Sequence, residues 1–178
     1  RHREELNGIY NVCFLSLRQN SIGLQCLEWW RERCLEWCYD RPEDGRFADQ
    51  KYLDDWPVRF PEVVVLQHKG AGLAPWNVAN YTLSLTNDQM LVDSQPLVFY
   101  HFHGFRQIYR WLYDPQLAAY GARANHLLKY HIYHAYIREL TEVERWLQGL
   151  EGELPLPTEL LHCRVPGGGG QSGLFRAI

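Results

Sequence analysis

Over residues 123–150, apolar Leu127, Leu128, Ile132, Tyr136, Ile137, Leu140, Val143, Trp146, Leu147 and Leu150 recur at helical spacing. One long amphipathic helix is expected there, and its apolar stripe needs a covering layer. The upstream chain offers short runs suited to that. Residues 9–17, 62–66 and 96–102 are apolar, rich in β-branched or aromatic side chains and bounded by turn residues, so they read as buried strands. Tyr81 to Leu85 and Met90 to Val92 flank Thr86-Asn87-Asp88-Gln89 as a hairpin or paired strands. A second helix, residues 22–39, is capped by Ser21 or Asn20 and places Leu24, Leu27, Trp30, Cys34, Leu35 and Cys38 on one face. Asp49 can cap a short helix over residues 50–56 that Pro57 stops. Helices interleaved with strands make an α/β chain.

With 178 residues, 46% hydrophobic and 22% charged, the chain can bury a core and fits one domain, residues 1–152. Pro155, Pro157, Pro166 and Gly167 to Gly170 mark 153–178 as an irregular tail. The formal charge of −3, with scattered Lys and Arg, argues against nucleic acid as a partner. The longest stretch without charged residues, 70–87, carries Pro75, Asn77, Asn80, Thr82 and Ser84 and is too polar to cross a bilayer. No signal peptide is read at Arg1-His2-Arg3-Glu4-Glu5, which resembles the interior of a longer protein. Five cysteines, Cys13, Cys26, Cys34, Cys38 and Cys163, form no zinc knuckle and fit a reducing, cytoplasmic setting. Cys34 and Cys38, one turn apart, read as core residues or a metal pair. His131 and His134, with no third ligand, read as a half-exposed face.

Seven tryptophans stand out, each a packing residue or, beside Gly, Pro and Asn, a surface for the C–H face of a sugar. Trp56 and Trp76 are the two in such loops. Polar chemistry gathers in three segments after strand-like runs: Asn7-Gly8-Ile9-Tyr10-Asn11, then Phe47 to Trp56, then His68 to Asn77. Ligands of open α/β sheets sit beyond strand carboxyl ends, so the three segments are expected at one cleft.

In this order the segments resemble nucleotide-sugar-dependent glycosyltransferases of the GT-A type, in particular bacterial relatives of the retaining galactosyltransferases and glycogenin-like enzymes. Those carry Phe-Asn-x-Gly, Asp-Gln-Asp and His-x-x-Gly-x-x-Lys-Pro-Trp. The corresponding residues are Tyr10-Asn11-Val12-Cys13, Asp49-Gln50-Lys51, and His68 with Ala71, Ala74, Pro75 and Trp76, the last at conserved spacing within the motif. Asn77 after Pro-Trp resembles the signature of an uncharacterised bacterial branch. The chain departs at Cys13, Lys51, Ala71 and Ala74, with Lys69 or Arg106 as alternative partners for the diphosphate, and it contains no Asp-x-Asp. The resemblance, over about residues 7–106, implies the C-terminal part of a GT-A fold, a mixed sheet with flanking helices and a long C-terminal helix, inactive without a nucleotide-binding half.

The implied function is sugar transfer from a nucleotide-diphosphate donor to a glycan or small-molecule acceptor. Leaving-phosphate charge is stabilised by Mn²⁺ or Mg²⁺. His68 and His101 are the implied metal ligands, and Asp49 and Gln50 the catalytic pair facing the anomeric carbon and sugar hydroxyls. Asn7, Asn11, Trp56, Lys69, Trp76, Asn77 and His103 are the implied substrate contacts. His101 and His103 alternate along a strand end, lining the cleft or satisfied in place. A non-catalytic carbohydrate-binding module would need the aromatic loops and no metal. A glycoside hydrolase would need two facing carboxylates, which Asp54 and Asp55 do not form, and a structural metal protein would need a three-ligand cluster.

Overall fold

The structure, a computed structural model, describes residues 6–150 and the backbone of Phe175–Arg176. It is mixed α/β and divides into two units, Arg1–Gln67 and His68–Ile178. Cys163 and most of the 153–178 tail lie outside the described residues.

The first unit is organised by indoles on α1 (Ser21–Glu36). Asn20 is the cap, its Oδ1 accepting the Gly23 amide at 2.8 Å. The helix ends short of Tyr39 because Trp37 turns extended and packs inside. Its buried face is also not the expected one. Cys26, Trp29 and Trp30 join Leu53, Trp56 and Phe60 in the core, whereas Leu24, Leu27 and Leu35 are exposed. Edge-to-face contacts of Trp30 with Trp56 (5.7 Å) and Trp29 with Phe60 (6.0 Å) bury more area than a leucine stripe, and they set the helix rotation.

Residues 9–17 and 62–66 form no strands. Asn11 interrupts the first run, its Oδ1 accepting the Cys13 amide at 2.9 Å in an Asx turn. Tyr10, Val12, Leu15 and Leu17 still pack on the core, leaving Ile9 and Phe14 exposed. In the second run Val63 packs inward while Val64 is 85% exposed. β-branched residues favour a pleated surface only when a neighbouring strand supplies one. Among the described residues of this unit the one ladder contact is the Glu43–Arg46 bridge. The expected 50–56 helix is a 3₁₀ turn, Lys51–Asp55, running directly into α2 (Trp56–Arg59). Pro57 sits in the first turn of α2, where a missing N–H is tolerated, so it opens a helix instead of ending one. Gln50, not Asp49, occupies the cap position, without a side-chain cap bond.

The second unit holds three small sheets in place of one mixed sheet. β1 (Ala71–Leu73) runs parallel to β5 (Phe99–Tyr100). β2 (Leu83–Thr86), β3 (Gln89–Val92) and β4 (Gln95–Pro96) form an antiparallel meander. Its turns, Asn87-Asp88 and Asp93-Ser94, have positive φ at both residues, the backbone that matches strand twist in two-residue hairpins. The expected 96–102 strand is therefore split between β4 and β5. β6 (Arg106–Tyr109) pairs with β7 (Leu112–Asp114), which also pairs with β8 (Phe175–Arg176).

The C-terminal helical stretch begins at His126, with Asn125 Oδ1 accepting the Leu128 amide at 2.8 Å, not at Arg123. It passes through a π-helical segment, Leu128–Tyr133, before α3 (His134–Leu150). The widened turn brings Leu128, Ile132, Tyr133 and Ile137 into a core with Leu73, Val92, Tyr100 and Tyr113, while Val143, Trp146 and Leu147 remain exposed. No helix among the described residues is long and apolar enough to cross a membrane.

Gly70 joins β1 to the meander at a distance that admits no side chain, since a Cβ there would lie 1.9 Å from the Pro96 carbonyl oxygen. Overpacking costs roughly 1–3 kcal/mol and occasionally more when the obstacle cannot yield. Gly70→Ala should lower stability by about 3 kcal/mol or more, whereas Gly149→Ala, with nothing within 4 Å, should gain about 0.5–1 kcal/mol of helix propensity. Urea midpoints of the two variants, at unchanged slope, check the contrast.

Candidate functional site

In the first unit the structure brings Asn7, Asn11 and Gln50 together. The Gln50 amide donates to the Asn7 carbonyl at 2.9 Å, and Asn11 Nδ2 donates to Gln50 Oε1 at 2.6 Å. Asp54 continues the seam, accepting the Ile9 amide at 2.8 Å and pairing with Lys51 at 2.9 Å. Gly8, at φ 107, fits beneath it because a Cβ would meet Lys51 Cα and Asp54 Oδ1 at 3.3 Å. These amides position loops against one another. Just before Asp49, Ala48 holds φ 45, a left-handed backbone that costs a non-glycine residue about 1 kcal/mol. Such strain gathers at functional turns. Asp49 itself is half-buried, and its carbonyl accepts Trp30 Nε1 at 2.9 Å.

Trp56 does not present a face to a ligand. It is 7% exposed, packed edge-on against Trp30 in the core, because the helix continues through Pro57 and carries the indole inward. Cys34 is half-buried and Cys38 exposed. Burial, reinforced by Cys38, pushes the Cys34 thiol up to about 11, which leaves it protonated and unreactive at neutral pH.

In the second unit, parallel pairing does the positioning. Leu73 and Tyr100 are in register, and the His101 amide donates to the Leu73 carbonyl at 2.7 Å. Both strands therefore release their chains at the same edge, one into Ala74-Pro75-Trp76-Asn77 and the other into His101-Phe102-His103-Gly104. Asn77 locks the first turn, its Oδ1 accepting the Ala74 amide at 2.8 Å and its Nδ2 donating to the Gly72 carbonyl at 2.9 Å. Trp76 stands half-buried on that turn with His101 at 5.1 Å, His103 at 5.4 Å and Tyr120 at 6.1 Å between ring centroids, all edge-on. An edge-on arrangement surrounds the indole rim with polar ring atoms. Burial, together with His103, pulls the His101 pKa below its ordinary value, favouring neutral imidazole.

Lys69 and His68 stand apart from this cluster in their contacts. Lys69 Nζ is 2.9 Å from Asp93, and its amide donates to Gln95 Oε1 at 2.7 Å. The Asp93 carboxylate holds Lys69 above its ordinary pKa and is itself held low, so the ammonium serves the meander. His68 is exposed, its carbonyl accepting the Ala71 amide at 3.1 Å. Among the described residues no group of three or more His, Cys, Asp or Glu side chains is gathered to hold a metal. His101 has His103 as its imidazole neighbour. Two imidazoles without carboxylate oxygens do not by themselves make up a Mn²⁺ or Mg²⁺ site.

Tyr120 and Asp114 were not singled out by sequence reasoning. Tyr120 sits beside Gly121 after a turn, and Asp114 precedes Pro115, both ordinary turn signals. Asp114 is nevertheless 5% exposed, with Arg106 3.9 Å away.

No family model matches the chain, and no solved structure matches it. It is 41% identical over 104 residues to "Uncharacterized protein YfnF" of Bacillus subtilis (strain 168), a match spanning 58% of this chain and 34% of that protein. It is 29% identical over 150 residues to "Uncharacterized protein YfnD" of the same organism, spanning 83% of this chain and 47% of the relative. The chain thus spans a third to a half of these curated relatives.

The lowered His101 pKa has a pH consequence with a definite sign. Between the folded value and about 6.5 the unfolded chain binds more protons, so stability rises with pH through that window and falls on acidification. His134, lowered by burial and Lys129, contributes in the same direction. His101→Asn should flatten the slope of urea midpoint against pH between about 5 and 7, leaving the residual slope to His134.

Proposed function

We propose that this chain is the C-terminal portion of a GT-A-type glycosyltransferase that moves a sugar from a nucleoside-diphosphate donor to an acceptor. The observation that supports this reading best is Trp76, held on the Asn77-locked turn with His101, His103 and Tyr120 at its rim. An indole face takes the C–H face of a hexose, and rim imidazoles and a phenol offer directional hydrogen bonds to hydroxyls or phosphate oxygens. An imidazole that donates to the departing diphosphate stabilises charge as the glycosidic bond lengthens. The exposed His103 suits that part better than His101, which is half-buried. Under the same reading, Asp49, after the strained Ala48, is the carboxylate that orients sugar hydroxyls. Gln50 acts through the loop that it holds with Asn7 and Asn11.

A carbohydrate-binding module is the second reading, favoured by the completeness of the aromatic cluster within a few turns of one unit. Calorimetric titration of this chain with UDP- and GDP-hexoses, and with the free hexoses, separates the two. The transferase reading expects the nucleotide sugar to bind more tightly, and Trp76→Ala and His103→Ala to weaken it by about tenfold or more, the worth of one good hydrogen bond or stacked ring. Equal affinity for free hexose supports the module, and binding indifferent to Trp76 overturns both. Repeating the titration with Mn²⁺ on His68→Ala tests the metal role, which equal affinity in both proteins would remove.

A further inference from the structure

After β7 the chain reads Asp114-Pro115-Gln116 and opens the Leu117–Tyr120 3₁₀ turn. Asp114 and Pro115 are buried, and Gln116 holds φ 55, the left-handed conformation that a side chain with a Cβ adopts only at a cost of about 1 kcal/mol. The Asp114 carboxylate holds it there. Oδ1 accepts the Gln116 amide at 2.9 Å, Oδ2 accepts Gln116 Nε2, and the Arg106 guanidinium lies 3.9 Å from Oδ2. A carboxylate that accepts both amides of one residue fixes backbone and side chain together.

The fixed side chain bears on a second turn. A Cβ added to Gly104, at φ 70, would meet Gln116 Cβ at 3.3 Å and Cγ at 3.4 Å, so this turn lies directly over the Gln116 stem. Gly104 follows His103, whose ring faces Trp76 at 5.4 Å and Tyr120 at 6.0 Å. Tyr120 closes the same 3₁₀ turn that Gln116 opens. One buried carboxylate thus governs the support beneath His103 and the ring beside it.

We propose that Asp114 and Gln116 form a positioning clip that sets the His103 imidazole against Trp76, Gln116 by its Cβ and Cγ under Gly104 and Asp114 by holding Gln116 left-handed. The proposal rests on reading the Trp76 cluster as a ligand site. His103 is exposed, and an imidazole in an exposed loop needs outside support to keep the sub-ångström alignment that a binding or proton-donating group requires. Both clip residues act through His103 and are positioning residues.

The test is the proton spectrum of the ligand-free chain. The His103 Cε1–H resonance is assigned by its loss in His103→Asn, and its ring-current shift by comparison with Trp76→Leu. Gln116→Gly accepts the left-handed backbone but removes both carbons, and should cut that shift by at least half while the urea midpoint holds. Gln116→Asn retains Cβ, Cγ and left-handed tolerance, and should keep the shift. Gly104→Ala, which drives a Cβ into the stem, should lose it as Gln116→Gly does, and together with Gln116→Asn it decides the matter if Gln116→Gly fails to fold. An unchanged His103 resonance in folded Gln116→Gly or Gly104→Ala overturns the clip, whatever binds. Loss of the shift in a chain that binds no nucleotide sugar upholds the clip and removes the transferase reading alone.

Discussion

The second unit depends on one buried hydrogen bond between two phenols. Tyr100 on β5 and Tyr133 at the end of the π-helical segment place their hydroxyls 2.9 Å apart. Burial pushes Tyr100 up to about 12 and Tyr133 higher still, so both stay neutral and one can donate to the other. Each hydroxyl removed alone would strand its partner in an apolar surround. The rings carry the contact outward: Phe102 stacks on Tyr136 at 3.8 Å, and Phe105 stacks on Tyr133 and Tyr113. Tyr100, Phe102 and Phe105 face this interior, and His101 and His103 alternate with them toward Trp76. Aromatic packing on one side of the segment thereby fixes imidazole placement on the other.

The first unit solves a different problem. Its apolar runs have no strands to pair with among the described residues, so side-chain amides and carboxylates take the backbone's partners. Asn11, Gln50 and Asp54 reach across about forty residues of chain to hold the residue 7–13 segment. Indole packing beneath supplies the apolar burial that an isolated network of this kind lacks.

Legibility from the sequence followed locality. The Asn87-Asp88 hairpin and the Asn20 cap were readable because turn and cap chemistry is decided by neighbouring residues. The 9–17 run was misread because Asn11 bonds both to its own Cys13 and to distant Gln50, and no pattern of period two contains that. Trp56 and Trp76 look alike in sequence, each adjacent to Pro and near loop residues. One is buried because a helix continues through Pro57, and the other is half-exposed because Asn77 locks a turn. The meeting of Trp76 with His101 and His103 depends on parallel pairing of β1 with β5, a non-local event. Asp114 was passed over because an Asp-Pro dipeptide ordinarily marks a surface turn, and its burial is decided by the core around Tyr113 and Pro115.

The π-helical segment has one more implication. A wide turn of this kind holds a surplus residue relative to regular pitch, and each residue of an α-helix advances the side-chain direction by about 100°. Deleting a single residue between Leu128 and Tyr133 would let the coil tighten and would swing everything from His134 onward by roughly that angle. Ile137 would leave the interior and a polar neighbour would enter it. The phase of the whole terminal helix is therefore stored in one insertion, and chain length within that stretch matters more than the identity of the residues that fill it.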